Sequence, residues 1–196
     1  MKKLALFDFD GTITRSDSMF ALLRFLAGTP RYYRGLLAAS PAMALHAARL
    51  LPAQKAKEAL LQSFLAGMPV QAFDERCRQF TAEVLPGIMR PGALQAIDQY
   101  KAAGFDIYVV SASAENWVHP WCSQRGLGCI ATRLEKKNGL LTGNIEGLNC
   151  NGPEKKNRIL HTLDIQAYSQ VIAFGDSQGD RAMFSLATEQ HYRPFR

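Results

Sequence analysis

Two acidic pairs stand out in this chain of 196 residues. Asp8 and Asp10 lie two positions apart in Asp8-Phe9-Asp10-Gly11-Thr12. Asp176 and Asp180 lie four apart in Gly175-Asp176-Ser177-Gln178-Gly179-Asp180. Carboxylates aimed into one crevice repel each other unless a cation sits between them. A set of carboxylate and carbonyl oxygens suits Mg²⁺, a hard ion that keeps several of its waters. Gly11 lets the backbone turn sharply behind the first pair. Each pair also has a plainer reading, as an Asp capping a turn or as acids at a helix N-terminus. Ser111 closes an apolar run, where its hydroxyl can donate to a ligand oxygen. Lys155 and Lys156 open a predicted helix, where a cation opposes the helix dipole. That mild misfit suits a lysine turned toward a ligand, although a solvated lysine is the commoner case.

These residues need elements to hold them. Leu4–Phe7, Ile107–Val110 and Val171–Phe174 are short runs, apolar throughout, each followed by polar residues. Unbroken apolar runs suit strands of a parallel sheet covered on both faces. In such a sheet, ligands bind beyond the carboxyl ends of the strands. Helices are predicted over Pro91–Tyr100, with Gly104 as a C-terminal stop, over Asn116–Gln124, and over Glu154–Leu163 behind Pro153. Residues 129–134 and 140–145 flank Lys137-Asn138-Gly139. Asn-Gly is a strong hairpin signal, so this stretch reads as an antiparallel excursion at the sheet edge.

Asp8 and Ser111 are 103 residues apart, whereas a strand–helix–strand unit needs only about 30. The surplus falls at 15–85 and reads as five helices (19–27, 32–39, 41–51, 53–66 and 70–84), with breakers at Gly28-Thr29-Pro30, Ser40-Pro41, Pro52 and Gly67-Met68-Pro69. The division that follows is a core of 1–14 and 86–196, with a separate helical bundle, 15–85, inserted after the first strand.

Composition narrows the class. With 47% hydrophobic and 20% charged residues, the chain is neither disordered nor fibrous. No run reaches the roughly 20 apolar residues that span a bilayer, and Met1-Lys2-Lys3 followed by only four residues before Asp8 does not read as a signal peptide. Cys77, Cys122, Cys129 and Cys150 form no CxxC. That argues against a zinc site and for a reducing, cytoplasmic setting. Net charge is +6, from 23 Lys+Arg against 17 Asp+Glu.

Acid pair, hydroxyl, lysine, acid pair, in that order and at those elements, resembles the haloacid dehalogenase (HAD) superfamily. The branch it is most similar to is the phosphoserine-phosphatase-like one, whose helical cap follows the first motif. The residues that carry the resemblance are Asp8-Phe-Asp-Gly-Thr12, Val110-Ser111-Ala112-Ser113, Gly152-Pro-Glu-Lys155 and Gly175-Asp176-Ser-Gln-Gly-Asp180. The implied fold is α/β, with a Rossmann-like, mostly parallel sheet, helices on both faces and an inserted all-helical cap. The implied activity is a Mg²⁺-dependent phosphomonoesterase. Asp8 would be the nucleophile, and Asp10 the acid that protonates the leaving oxygen and then the base that activates water. Mg²⁺ would be held by Asp8, the Asp10 main-chain carbonyl and Asp176. Asp180 would bind it through water or orient the site. Ser111 and Lys155, or Lys156 if the register slips by one, would hold the phosphate oxygens. Dehalogenating members need no acid at position 10, because a halide leaves unprotonated, so Asp10 favours phosphate esters.

The substrate side is read from fewer residues. Asp17 stands where phosphoserine phosphatases carry an acid that reads the substrate amine, and it equally suits the N-cap of the helix that follows. Ser113 is the other candidate there: this chain reads Ser-Ala-Ser where those enzymes carry Ser-Gly-Gly. Trp117 and Trp121 are expected to pack in the core. The expected partner is a small-molecule phosphate ester and not nucleic acid. Residues 20–51 hold four Arg and no acid among many apolar residues, a pattern that can lie on anionic membrane. The branch also resembles phosphatidylglycerophosphatase C, so a lipid-phosphate phosphatase is the runner-up. The favoured reading packs these apolar faces inside the bundle and leaves the arginines solvated. A phospho-accepting signalling domain uses similar residues, but on about 120 residues, with the acceptor Asp on a middle strand and no large cap.

Overall fold

The computed structural model describes residues 2–196; Met1, where the core segment 1–14 begins, lies outside the described residues. The chain runs β1 (Lys2–Phe7), α1 (Ser18–Ala47), α2 (Ala53–Leu65), α3 (Val70–Glu83), α4 (Pro91–Ala102), β2 (Phe105–Ala114) and α5 (Glu115–Gln124). It continues through β3 (Gly128–Thr132), β4 (Leu134–Lys137), β5 (Leu140–Ile145), α6 (Pro153–Thr162), β6 (Tyr168–Gly175), α7 (Arg181–Phe184) and β7 (Glu189–Tyr192).

Five strands form one sheet in the order β3-β2-β1-β6-β7, and every pairing in it is parallel. β1 lies in the middle because its residues are apolar on both faces. Ala5 and Phe7 join the core on one side with Ile97 of α4 and Trp117, Val118 and Trp121 of α5. Leu4 and Leu6 join the core on the other with Ile159 of α6 and Met183 and Phe184 of α7. The chain leaves β1 toward β2 and β3, then returns to β6 on the opposite side. That reversal opens a crevice beyond the carboxyl ends of β1 and β6.

The hairpin is real but differs in place and extent from the sequence expectation. Gly128–Thr132 joins the main sheet as a parallel edge strand. Only β4 and β5 form the antiparallel hairpin, in a sheet of their own. Asn138 and Gly139 both take positive φ, 52° and 77°, as a tight hairpin turn requires. The hairpin is bound to the helical insertion. Leu141 exchanges two main-chain bonds of 2.9 Å with Gly67 and Met68. Gly143 (φ 84°) lies so near α2 that an added Cβ would sit 2.5 Å from the Gln62 Cα.

The insertion holds four helical segments rather than five. Gly28, with φ 68° and ψ 166°, breaks α1 at the position the sequence marks, and a second segment begins directly after it. Pro30 then falls in the first turn of the resumed segment, where its missing N–H is no loss. Pro41 removes the donor to the Leu37 carbonyl, but the Ser40 hydroxyl donates to that oxygen at 2.8 Å, so the helix continues. Nor is the bundle separate. Leu22, Leu23, Leu60, Phe64, Phe73 and Phe80 belong to the same buried cluster as the Phe7 face of the sheet. The C-terminal residues, to which the sequence assigns no role, form the edge strand β7, and Phe195 stacks on Phe174 with ring centroids 5.7 Å apart.

Candidate active site

Asp8 stands one residue beyond β1, held in line by its N–H donating to the Phe174 carbonyl at 2.9 Å. The chain then turns back through Phe9–Ile13, with Gly11 at φ 83°. Glycine is required at position 11 for a second reason: a Cβ there would lie 2.5 Å from Asp176 Oδ2. Asp176 follows β6 on the neighbouring strand, so the two acidic pairs of the sequence meet. Oxygens of Asp8, Asp176 and Asp180 lie within 4.8 Å of one another.

Lys155, in the first turn of α6, reaches into this cluster and is 2% exposed. Its Nζ donates to Asp8 Oδ1 at 2.5 Å and to Asp180 Oδ1 at 2.6 Å. Burial opposes the charge on Lys155, but Asp8 and Asp180 outweigh it and hold its pKa above the ordinary lysine value. Burial raises Asp8 to about 7 against the pull of Lys155. Asp180 is also pushed up by burial, yet Lys155 and the donors of Ser177 leave it below the usual carboxylate value. Asp180 Oδ2 accepts the N–H of Asp176 (3.1 Å), the N–H of Ser177 (3.0 Å) and the Ser177 hydroxyl (2.9 Å). Both of its oxygens thus accept bonds, and the residue fixes both Lys155 and the Asp176 loop. Lys156 points elsewhere, donating to the Ser185 hydroxyl at 3.1 Å.

Asp10 is fixed on both oxygens. Oδ1 accepts the Ser18 N–H at 2.6 Å and Oδ2 accepts the Ser113 hydroxyl at 2.5 Å. Ser113 is reached because the β2–β3 register shifts between Ser111 and Ala114, a bulge of the kind that re-aims side chains near sites. The chain of bonds continues from Ser113 Oγ to Ser18 Oγ (3.3 Å) and from there to Trp117 Nε1 (2.9 Å). An indole can only donate and a carboxylate can only accept. The direction is therefore set: Trp117 donates to Ser18, Ser18 to Ser113, and Ser113 to Asp10. Trp117, at 1% exposure, packs in the core as the sequence predicts and also supports an acid of the site.

Ser111 is buried and accepts the Ser113 N–H at 2.9 Å. It does not line the cavity over the acids, whereas Ser113 does. That cavity is about 350 Å³ and runs from Asp8 and Lys155 out to Asp17, Met43, His46 and Lys57, a size that suits a small ligand. Asp17 does what the plainer reading says, accepting from Met19 N–H (2.9 Å) and Phe20 N–H (3.3 Å) as the N-cap of α1. It also faces the cavity. The protein packed around it and the charge of Asp10 raise it to about 6.

Sequence reasoning missed Lys57, Ser18, Thr12 and Arg196. Lys57 Nζ donates to the Ala112 carbonyl (2.7 Å) and Asn149 Oδ1 (3.0 Å). Burial lowers its pKa despite Asp17 and Asp10 nearby. The signal was present: Lys57 sits in the stripe that continues through the buried Leu60, Leu61 and Phe64, where a cation is out of place. The Thr12 hydroxyl donates to Asp8 Oδ2 at 3.2 Å. Arg196 pairs with Asp176, and Arg193 Nε donates to the Asp176 carbonyl at 3.0 Å. No local pattern announces a contact from the far end of the chain.

The cluster fits a divalent cation. Three carboxylates converge on a place that the absence of a side chain on Gly11 keeps open, and Lys155 and Arg196 together carry one charge fewer than the three acids do. All-oxygen donors are those Mg²⁺ prefers.

The family pattern described as haloacid dehalogenase-like hydrolase matches residues 5–185. Protein CicA of Caulobacter vibrioides is 35% identical over 199 residues, spanning 98% of this chain and 86% of that protein. A histidinol-phosphatase of Neisseria meningitidis serogroup C is 26% identical, spanning 96% and 89%. Among solved structures, a substrate-bound phosphoserine phosphatase superposes with a TM-score of 0.68 at 21% identity, covering 97% of this chain and 85% of that one. The chain therefore belongs to the haloacid dehalogenase-like hydrolases and has the fold of their phosphoserine-phosphatase-like branch.

Proposed function

We propose that this phosphoric monoester hydrolase acts on a small organic phosphate, in the cytoplasm, through a phosphorylated Asp8. An Asp8 carboxylate oxygen attacks phosphorus, the ester P–O bond breaks, and the leaving oxygen takes a proton from Asp10. Asp10, now a carboxylate, takes a proton from water. That water attacks phosphorus, the bond to Asp8 breaks, and inorganic phosphate leaves with the enzyme restored. The single observation that supports this most is the convergence of Asp8, Asp176 and Asp180 around the buried Lys155. Phosphoryl transfer spreads negative charge over the equatorial oxygens, so fixed cations and donors supply most of the catalysis.

Lys155 holds phosphate oxygens, and Ser111 keeps a hydroxyl hydrogen free for the same purpose. A Mg²⁺ held by Asp8, the Asp10 carbonyl and Asp176 would offset the charge of the phosphoryl group against the nucleophile. Asp180 is the positioning group of its pair. Residues 15–85 act as the cap that closes the cavity from above, bringing Asp17 and Lys57 to the outer part of the substrate. Histidinol phosphate and phosphoserine are both phosphate esters of 2-amino alcohols. Asp17, a carboxylate on the cavity wall, suits the ammonium that such esters share.

A panel of esters tests this, with and without Mg²⁺: an aryl phosphate, phosphoserine, histidinol phosphate and phosphatidylglycerophosphate. Mg²⁺-dependent release of phosphate, highest on a 2-amino alkyl ester and abolished in Asp8→Asn, is expected. Preference for the lipid phosphate would move the substrate to the runner-up class. Full activity in Asp8→Asn would overturn the mechanism.

A further inference from the structure

The second half of α1 carries apolar side chains outward. Gly35 and Ala39 are buried, and Tyr32 and Leu36 are half-buried against the rest of the insertion. The other side of the same segment is open: Tyr33 is 61% exposed, Leu37 73% and Leu45 45%, and Leu50 just past the helix is 75% exposed. Tyr33, Leu37, Pro41 and Leu45 succeed one another at a spacing of four and form one stripe. Large apolar residues grouped in this way mark a surface that meets something.

Charge says what it meets. Between Ser18 and Lys57 there is no Asp or Glu, while Arg24, Arg31, Arg34 and Arg49 are all cationic. Arg31 and Arg34 flank the exposed stripe and are themselves exposed. A protein partner of ordinary composition requires no such one-sided charge. An anionic lipid surface does: basic residues meet the headgroups while Tyr and Leu enter the headgroup–acyl boundary. The described residues contain no helix long and apolar enough to cross a membrane, so the contact lies along the surface. Met43 and His46, from the same segment, line the outer end of the cavity over Asp8. A docked stripe therefore sets the mouth of the site beside the lipid surface.

We propose that residues 31–50 form a docking face for an anionic lipid bilayer. The claim concerns attachment and is independent of which ester is hydrolysed.

Co-sedimentation of the full chain with vesicles tests it, using about 30% phosphatidylglycerol in phosphatidylcholine beside pure phosphatidylcholine. The protein is expected to pellet with the anionic vesicles at low salt, to be released at high salt, and to remain in solution with the neutral ones. Arg31→Gln with Arg34→Gln removes two cations and should weaken partition by about thirtyfold and flatten the salt dependence. Leu37→Glu with Leu45→Glu, both at exposed positions, should weaken it by at least about tenfold. Both variants should keep the wild-type melting temperature and the wild-type rate on a soluble aryl phosphate. Three results overturn the proposal: no pelleting of wild type with anionic vesicles, equal pelleting with neutral ones, or variants that pellet like wild type. A fourth is a concentration-dependent dimer, seen by sedimentation equilibrium and abolished by Leu37→Glu with Leu45→Glu, in a protein that ignores vesicles. That would assign the face to a second copy.

Discussion

Replacing Lys155 by Met keeps the volume of the side chain and removes its charge. Asp8 and Asp180, 6% and 0% exposed, then face each other with no cation between them. Breaking a buried ion pair from one side costs about 3–5 kcal/mol. For a chain of this length, about 2–4 °C of melting temperature is lost per kcal/mol. Lys155→Met should therefore melt about 10 °C below wild type in EDTA. Added Mg²⁺ should recover part of the loss, because a divalent ion replaces the missing charge. Asp180→Asn in the Lys155→Met background should also recover part of it, by removing one of the repelling carboxylates. Hydrolysis of an aryl phosphate should fall by about a hundredfold or more, the usual cost of one donor to the transition-state oxygens. Differential scanning fluorimetry with an EDTA arm and a Mg²⁺ arm reads the first three outcomes. If Lys155→Met melts within about 2 °C of wild type in EDTA, the electrostatic account of this cluster is wrong.

Other positions give independent checks. Ser18→Ala interrupts the bond chain from Trp117 to Asp10 and leaves Ser113 without its directing partner; turnover should fall about tenfold with little change in KM, and wild-type turnover would show that the chain does not position Asp10. Glu58 accepts from Lys55 Nζ (2.7 Å), Gln54 Nε2 (3.0 Å) and the Ile145 N–H (3.3 Å), and these donors outweigh burial and hold its pKa below 4.5. Its contribution to stability is therefore complete above about pH 4.5 and is lost as pH falls through the lower, folded-state value. Glu58→Gln should flatten the acid limb of a stability–pH curve, and an unchanged limb would remove Glu58 from the account. Gly143→Ala should cost about 2 kcal/mol in chemical denaturation, because its Cβ meets backbone of α2 at a positive φ; an unaltered midpoint would show that the hairpin does not need this close approach.

The parts of the site that local sequence made legible are those where chemistry coincides with an element boundary. Asp8, Lys155 and Asp176 each sit at a strand tip or a helix start, and burial on both faces marks β1, β2 and β6 as apolar runs. What stayed hidden depends on contacts between distant segments. Gly128–Thr132 and Leu134–Lys137 are separated by one residue yet belong to different sheets, and composition does not say where one ends. β7 reads Glu-Gln-His-Tyr, polar because it is an edge strand, so it lacks the apolar signature of its neighbours. Pro41 reads as a stop, and only the Ser40 hydroxyl on the Leu37 carbonyl explains why the helix passes through it. The outward-facing Tyr33, Leu37 and Leu45 were expected inside the bundle, since sequence alone cannot tell which side of an apolar helix finds a partner.

The claim on which the rest depends is that a phosphoryl group passes through Asp8. The most direct measurement is acid quench during turnover, followed by borohydride reduction and peptide mass mapping, which converts an aspartyl phosphate to homoserine. The account predicts homoserine at position 8, dependent on substrate and Mg²⁺ and absent from Asp8→Asn. Reduction at another residue, or none at any position while substrate is being consumed, would contradict it.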